Sequence, residues 1–187
     1  GLQRDQPVFS MLIRGDQAGA SLEFSAYQAG VERLTTIVEA RILSGALGAR
    51  LSELERIELF APAQFIALSM NSNGCDIQLA DGRTITAKLV VGADGARSRL
   101  RDAARIEATQ VPSGHIAVVA NFETALAHSG RAYQWFAGDG VLAWLPLPGK
   151  RISIVWSTQP EHSRQLMAMN AAQLSEAVAV AGHGVLG

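Results

Sequence analysis

The chain has 187 residues, 48% of them hydrophobic, with 16 basic against 17 acidic side chains and a sequence pI near 6.5. That is core material for one or two domains, which if compact bury roughly 70% of the extended-chain surface, and the charge balance carries no footprint for nucleic acid. The single cysteine, Cys75, excludes an internal disulfide and any multi-cysteine metal site, and His115, His128, His162 and His183 never fall at the spacing of a helical metal pair.

In chain order, residues 9–14 and 20–26 place apolar side chains at strand-like intervals around the connection Gly15-Asp16-Gln17-Ala18-Gly19, which predicts a hairpin. Over residues 31–51 the period changes. Val31, Leu34, Ile37, Val38, Ile42, Leu43, Ala46 and Leu47 form one apolar stripe, which predicts a helix. A strand is expected at residues 56–60, followed by three antiparallel strands at 64–70, 75–80 and 83–91. Asn71-Ser72-Asn73-Gly74 and Asp81-Gly82 supply the turns of this meander. Strands are again expected at 115–122, 131–136, 141–145 and 151–157. Helical structure is expected from 161 to 181, broken near Asn170 and ending at Gly182. Trp135, Phe136, Trp144 and Trp156 read either as a wall for an aromatic ring or as core, and core is the usual fate of large aromatics in a sheet.

The most informative stretch is Leu89-Val90-Val91-Gly92-Ala93-Asp94-Gly95-Ala96-Arg97-Ser98-Arg99-Leu100-Arg101. An unbroken apolar Leu-Val-Val suggests a strand end buried on both faces, of the kind that faces the crevice of an α/β sheet. Gly92 and Gly95 permit a close backbone approach, Asp94 can accept from a hydroxyl or from amides, and Ser98 can cap the following helix. Arg97, Arg99 and Arg101 either face a pyrophosphate or form a solvated first turn. Pattern alone stops at a ligand-binding turn.

This run resembles the Asp-Gly motif, the second flavin motif, of the FAD-dependent aromatic hydroxylases related to p-hydroxybenzoate hydroxylase. Within that superfamily the chain is most similar to the ubiquinone-biosynthesis hydroxylases. Ile37-Val38-Glu39-Ala40-Arg41-Ile42-Leu43 is similar to their Val-Glu-x-Arg-x-Leu helix segment. Ala117 to Asn121, Trp135-Phe136, Leu145-Pro146-Leu147-Pro148 and Ser153 to Trp156 follow their substrate-domain strands in order. The resemblance covers almost the whole chain. Two family motifs are not in place: the opening βαβ unit with G-x-G-x-x-G, and the later Gly-Asp-Ala motif. The string Gly182-His183-Gly184-Val185-Leu186-Gly187 matches G-x-G-x-x-G, but no helix follows it to bring a dipole to a phosphate, so it reads as a chance match.

The resemblance implies an α/β to α+β chain: a partial FAD-binding α/β domain with a β-meander, plus a strand-rich substrate domain, lacking the N-terminal βαβ unit. Residues 1–28 and 111–187 are then expected in the substrate domain and 29–110 in the FAD-binding domain. Arg41, Gly92, Asp94 and Gly95, with Arg97 weaker, are the implied cofactor-binding residues. Arg41 either reaches phosphate or braces the Asp-Gly turn, or it pairs with Glu39 or another surface acid. No catalytic acid, base or nucleophile and no metal site is assigned, because the isoalloxazine carries the chemistry.

The implied parent enzyme uses NAD(P)H to reduce FAD, forms a C4a-hydroperoxyflavin and hydroxylates a prenylated phenol for ubiquinone. The resemblance implies a cytoplasmic protein with a small-molecule phenolic substrate, whose greasy tail implies work peripheral to the inner membrane or in contact with other enzymes of the pathway. The chain reads as the middle of such an enzyme, so weak or absent FAD binding and no activity are expected of it alone. No apolar run approaches the roughly 18 residues of a membrane span, and no signal peptide opens the chain. A non-catalytic binding module that forms homo-oligomers through exposed strand edges stays open, as does another flavoenzyme of the same fold, a halogenase or prenyl reductase.

Overall fold

The alternating pattern of residues 151–158, with Ile152, Ile154, Trp156 and Thr158 buried and their neighbours only half-buried, organises one face of a sheet. The structure, a computed structural model, describes residues 5–17, 19–72 and 74–187. Ala18 and Asn73, in the two predicted turns, lie outside them. Contacts divide the chain into unit 1, Gly1–Arg50 with Pro112–Gly187, and unit 2, Leu51–Val111. Residues 29–50 group with unit 1, where a strand within them pairs with the chain's first strand.

Unit 1 contains β1 (Asp5–Val8), β2 (Ser10–Arg14), β3 (Ser21–Ser25), the single turn α1 (Ala26–Ala29), β4 (Thr35–Val38) and most of α2 (Ala40–Ser52). Unit 2 holds β5 (Phe65–Asn71), β6 (Gly74–Leu79), β7 (Thr84–Ala87) and α3 (Arg99–Ala103). The chain then returns to unit 1 with β8 (Ile116–Glu123), β9 (Arg131–Ala137), β10 (Gly140–Leu147), β11 (Arg151–Thr158), α4 (Pro160–Ala168) and α5 (Ala171–Ala181). The order of its large sheet is β3-β2-β9-β10-β11-β8, antiparallel except where β2 runs parallel to β9. The predicted hairpin is β2–β3, and the four later strands and the helix break stand where the pattern put them. Asn170 makes that break by accepting from the Gln173 amide while the Gln173 side chain accepts from the Asn170 amide, a capping box that starts α5.

One face of the sheet carries the core. Val118, Trp135, Trp144, Ile154 and Trp156 pack there with Leu166, Val178 and Leu186 from the helices and the C-terminal turn. Trp135 and Trp144 meet edge to face at 4.9 Å, so these indoles are filling, as expected of large aromatics. Phe136 points the other way and is exposed. The second face is exposed along β8 and half-buried along β11, and β4 lies against β10.

Three expectations fail. The helix predicted over 31–51 begins only at Ala40. Thr35, Thr36, Ile37 and Val38 form β4 because four consecutive β-branched residues favour a pleated backbone and β1 offers them a ladder. No strand forms at 56–60. The Ile57 amide donates to the Leu54 carbonyl in a turn, and alternation without a partner strand makes no ladder. The meander is present, but its third strand stops at Ala87; Leu89 and Val91 are each 77% exposed, not buried on both faces, because no described strand pairs with them.

Candidate functional site

The turn between residues 92 and 98 is organised by one carboxylate. Asp94 Oδ1 accepts from the Ser98 hydroxyl at 2.5 Å, and Oδ2 accepts from the amides of Arg99 at 2.8 Å and Leu100 at 3.3 Å. Ser98 in turn caps α3, its Oγ accepting from the Arg101 amide at 3.0 Å. The Ser98 hydroxyl, with the Leu100 and Arg99 amides, holds Asp94 below the ordinary carboxylate range. The group is therefore an anion at neutral pH. Donors of the turn itself, the Ser98 hydroxyl and backbone amides, thus take up most of its roughly four acceptor positions.

Gly95 sits at φ +86, where a side chain is strained, and the space its missing Cβ would enter is empty. A Cβ on Gly92 would come within 3.2 Å of Leu100, so that glycine lets the turn fold tightly over α3. A cavity of about 490 Å³ opens beside Gly92, Gly95 and Ser98, with Leu68, Met70 and Ile106 among its apolar walls. The three arginines differ. Arg101 is spent on the turn itself, donating to the Ala96 carbonyl at 2.9 Å and pairing with Asp102 at 3.3 Å. Arg97 is exposed and has no hydrogen bond or ion pair among the described residues. These residues fit a dinucleotide: an anionic hydrogen-bond acceptor for a sugar hydroxyl, an open glycine for close approach, and a free guanidinium for phosphate.

Arg41 lies in unit 1, at the first turn of α2, and the Asp-Gly turn lies in unit 2. It makes no ion pair among the described residues, with Glu39 or any other acid. With Glu39 it lines a second cavity, of about 450 Å³, on the second face of the sheet. Asn121 and Ser153, which the sequence reading passed over as sites, stand in that cavity. Nothing local marks them: they are 32 positions apart and meet only through the β8–β11 register.

The histidines are hydrogen-bonded or exposed. Buried His128 accepts at Nδ1 from the Gly130 amide, which fixes Nε2–H as the donor to the Leu147 carbonyl at 2.8 Å. His162 Nδ1 lies 2.7 Å from Asp139 Oδ2 and 3.0 Å from Thr158 Oγ1, tying the β9–β10 turn to α4. No cluster among the described residues is suited to a metal ion. Gly182 has a packing role. A Cβ there would lie 2.1 Å from the Trp144 ring, which accounts for one glycine of the G-x-G-x-x-G string.

Comparison with known proteins shows the family of the chain. The sequence model of the FAD binding domain family matches residues 12–180. The ubiquinone hydroxylase UbiL of Rhodospirillum rubrum is 39% identical over 167 residues, 89% of this chain and 38% of that protein. The 3-demethoxyubiquinol 3-hydroxylase of Escherichia coli is 32% identical over 160 residues, 86% of this chain and 41% of that protein. The chain thus spans about two fifths of the length of these curated relatives. Among solved structures, Pseudomonas aeruginosa PqsL in complex with 2-aminobenzoylacetate superposes with a TM-score of 0.76 at 20% identity, over 88% of this chain and 46% of that one. Klebsiella pneumoniae HpxO, complexed with FAD and uric acid, gives 0.64 at 16% identity, over 95% and 46%.

Proposed function

The chain belongs to the FAD binding domain family, and from that premise we propose that it is part of a flavin-dependent monooxygenase that hydroxylates a prenylated phenol in ubiquinone biosynthesis, with NAD(P)H as reductant. The observation that carries the reading is the Asp94 turn: a carboxylate kept ionised by Ser98 and two amides, beside an open Gly95. Bound FAD supplies the oxygen chemistry. Gly92 and Gly95 admit the cofactor backbone-close, Asp94 accepts from one of its hydroxyls, and Arg97 faces its diphosphate. A separate role of Arg41 toward the cofactor's phosphates is proposed from its unpaired guanidinium. Residues 29–110 are assigned to the flavin side and 1–28 with 111–187 to the substrate side.

The names of the two relatives support the ubiquinone assignment. A prenyl tail would bring the enzyme to a membrane surface or to pathway partners, and no helix among the described residues is long and apolar enough to cross a membrane. The open edges at β3 and β8 are where a homo-oligomer would form.

The test is FAD binding by saturation-transfer NMR, which reads weak affinities. Transfer to the ribityl and ribose protons is expected with the native chain, and Asp94→Ala should weaken it about tenfold, the loss of one charge-assisted hydrogen bond. An Asp94→Ala chain binding as well as the native one refutes the assignment. Incorporation of oxygen into a phenol separates a hydroxylase from a halogenase or prenyl reductase of the same fold.

A further inference from the structure

We propose that a second copy of this chain seats on the free edge of β3, the two β3 strands pairing antiparallel about a two-fold axis through Glu23 and joining the two large sheets into one. The inference rests on the oligomerisation at open edges proposed above and chooses between β3 and β8; flavin plays no part in it. β3 ends its sheet, with β2 on one side and no described strand on the other. Its ladder to β2 runs without a register shift, and it contains no proline or lysine, so devices that commonly keep an edge strand from pairing are absent from it. By contrast β5, at the edge of the small meander, carries an irregularity between Phe65 and Ala67.

The edge offers backbone groups at a fixed spacing. The Gly15 amide donates to the Ala20 carbonyl at 3.0 Å and the Ala26 amide to the Phe9 carbonyl at 2.8 Å, so Leu22 and Phe24 turn their backbone groups toward β2. Ser21, Glu23 and the Ser25 amide therefore point outward. A two-fold interface needs a strand that complements itself. Ser21-Leu22-Glu23-Phe24-Ser25 does so: about Glu23 it sets Leu22 beside Phe24 of the second copy and Ser21 beside Ser25. Leu22 and Phe24 are 53% and 46% exposed, and they share a face with Ile13 and Met11, their register partners on β2. Pairing covers both side chains in each copy and makes one apolar row across the two hairpins. On the opposite face Glu23 meets its own counterpart, which is destabilising for free charges. These charges are compensated, because Arg131 of the same copy donates to Glu23 Oε1 at 2.6 Å and to Ser10 Oγ at 3.0 Å.

The test is sedimentation equilibrium of the full chain. One strand pair makes a small interface, under about 1,200 Å², so a reversible dimer with a Kd on the order of 100 µM is expected. Phe24→Lys puts a charge into the apolar row and should weaken it at least about tenfold. Phe24 is exposed, so the variant should keep the native amide spectrum elsewhere. Cysteine placement reads the register without that variant. In a Cys75→Ser background, Glu23→Cys should oxidise to a linked dimer, because facing Cα atoms about 5.5 Å apart fit a disulfide. Ser21→Cys should not, because its counterpart lies about four residues further along the edge, roughly 13 Å away. A chain that stays monomeric up to about 1 mM, well above that Kd, overturns this interface and the proposed oligomerisation together. A dimer indifferent to Phe24→Lys, or one that links at 21 as readily as at 23, overturns pairing through β3 and points to β8. None of these results bears on FAD at Asp94, whose failure would show in the flavin titration alone.

Discussion

Replacing Gly182 with alanine places a carbon 2.1 Å from Cζ2 and 2.3 Å from Cη2 of Trp144, a residue only 2% exposed. The backbone is not the obstacle. Gly182 has φ −86, which alanine adopts freely, and the stiffer unfolded chain would by itself favour alanine by about 0.4–1 kcal/mol. The obstacle is a ring that has nowhere to go. Trp144 meets Trp135 at 4.9 Å and Tyr133 at 6.2 Å, both edge to face, and shifting it moves the centre of the core. Overpacking of this kind costs about 1–3 kcal/mol, so the net loss should be about 1–2 kcal/mol. Trp135, Trp144 and Trp156 all lie in the core of unit 1, so urea unfolding followed by indole emission reports that unit. Trp144→Phe removes the two atoms that collide. In that background Gly182→Ala should cost at least about 1 kcal/mol less, a coupling a double-mutant cycle resolves. A Gly182→Ala chain as stable as the native one, or no coupling to residue 144, would refute the packing account of this glycine.

Two further outcomes follow from the carboxylates. Asp139 lies below its ordinary pKa of 3.8 because it accepts from His162 and, secondarily, Thr158. A depressed folded pKa adds stability that is present above 3.8 and lost as pH falls through the folded value, so the acid limb of unit 1 unfolding should flatten in Asp139→Asn. An unchanged acid limb would show that this hydrogen-bonded pair contributes nothing. Ser98→Ala removes the N-cap of α3 and the main support of the Asp94 anion. The Asp94 carboxyl, followed by carbon NMR, should titrate closer to 3.8, and the Arg101 amide should exchange faster for a cap worth about 1 kcal/mol. A titration indistinguishable from native would mean that the backbone amides alone hold the charge.

Elements whose pattern and partner lie close in the chain were legible in the sequence. The Asp94 turn is an example. A carboxylate four residues before a capping serine, between glycines, closes on itself through bonds that span no more than six residues. The β5–β6–β7 meander, the β9–β10–β11 run and the Asn170 break are local in the same sense, since each is set by a turn or cap between neighbouring segments. The family resemblance travelled with these motifs.

Features that depend on a distant partner were decided only by the fold. Residues 35–38 fit a helical stripe until β1, about 30 residues earlier, offered a ladder that outweighed periodicity. Residues 56–60 and 89–91 have strand-like composition and no described partner, so Ile57, Leu59, Leu89 and Val91 stay in solvent. Asn121 and Ser153 acquired a shared cavity through a register that joins positions 32 apart, and the glycine at 182 through a tryptophan 38 positions away. Composition and spacing carry short-range preferences of a few tenths to one kcal/mol per residue, whereas ladder hydrogen bonds and close-packed rings exist only once two remote segments meet.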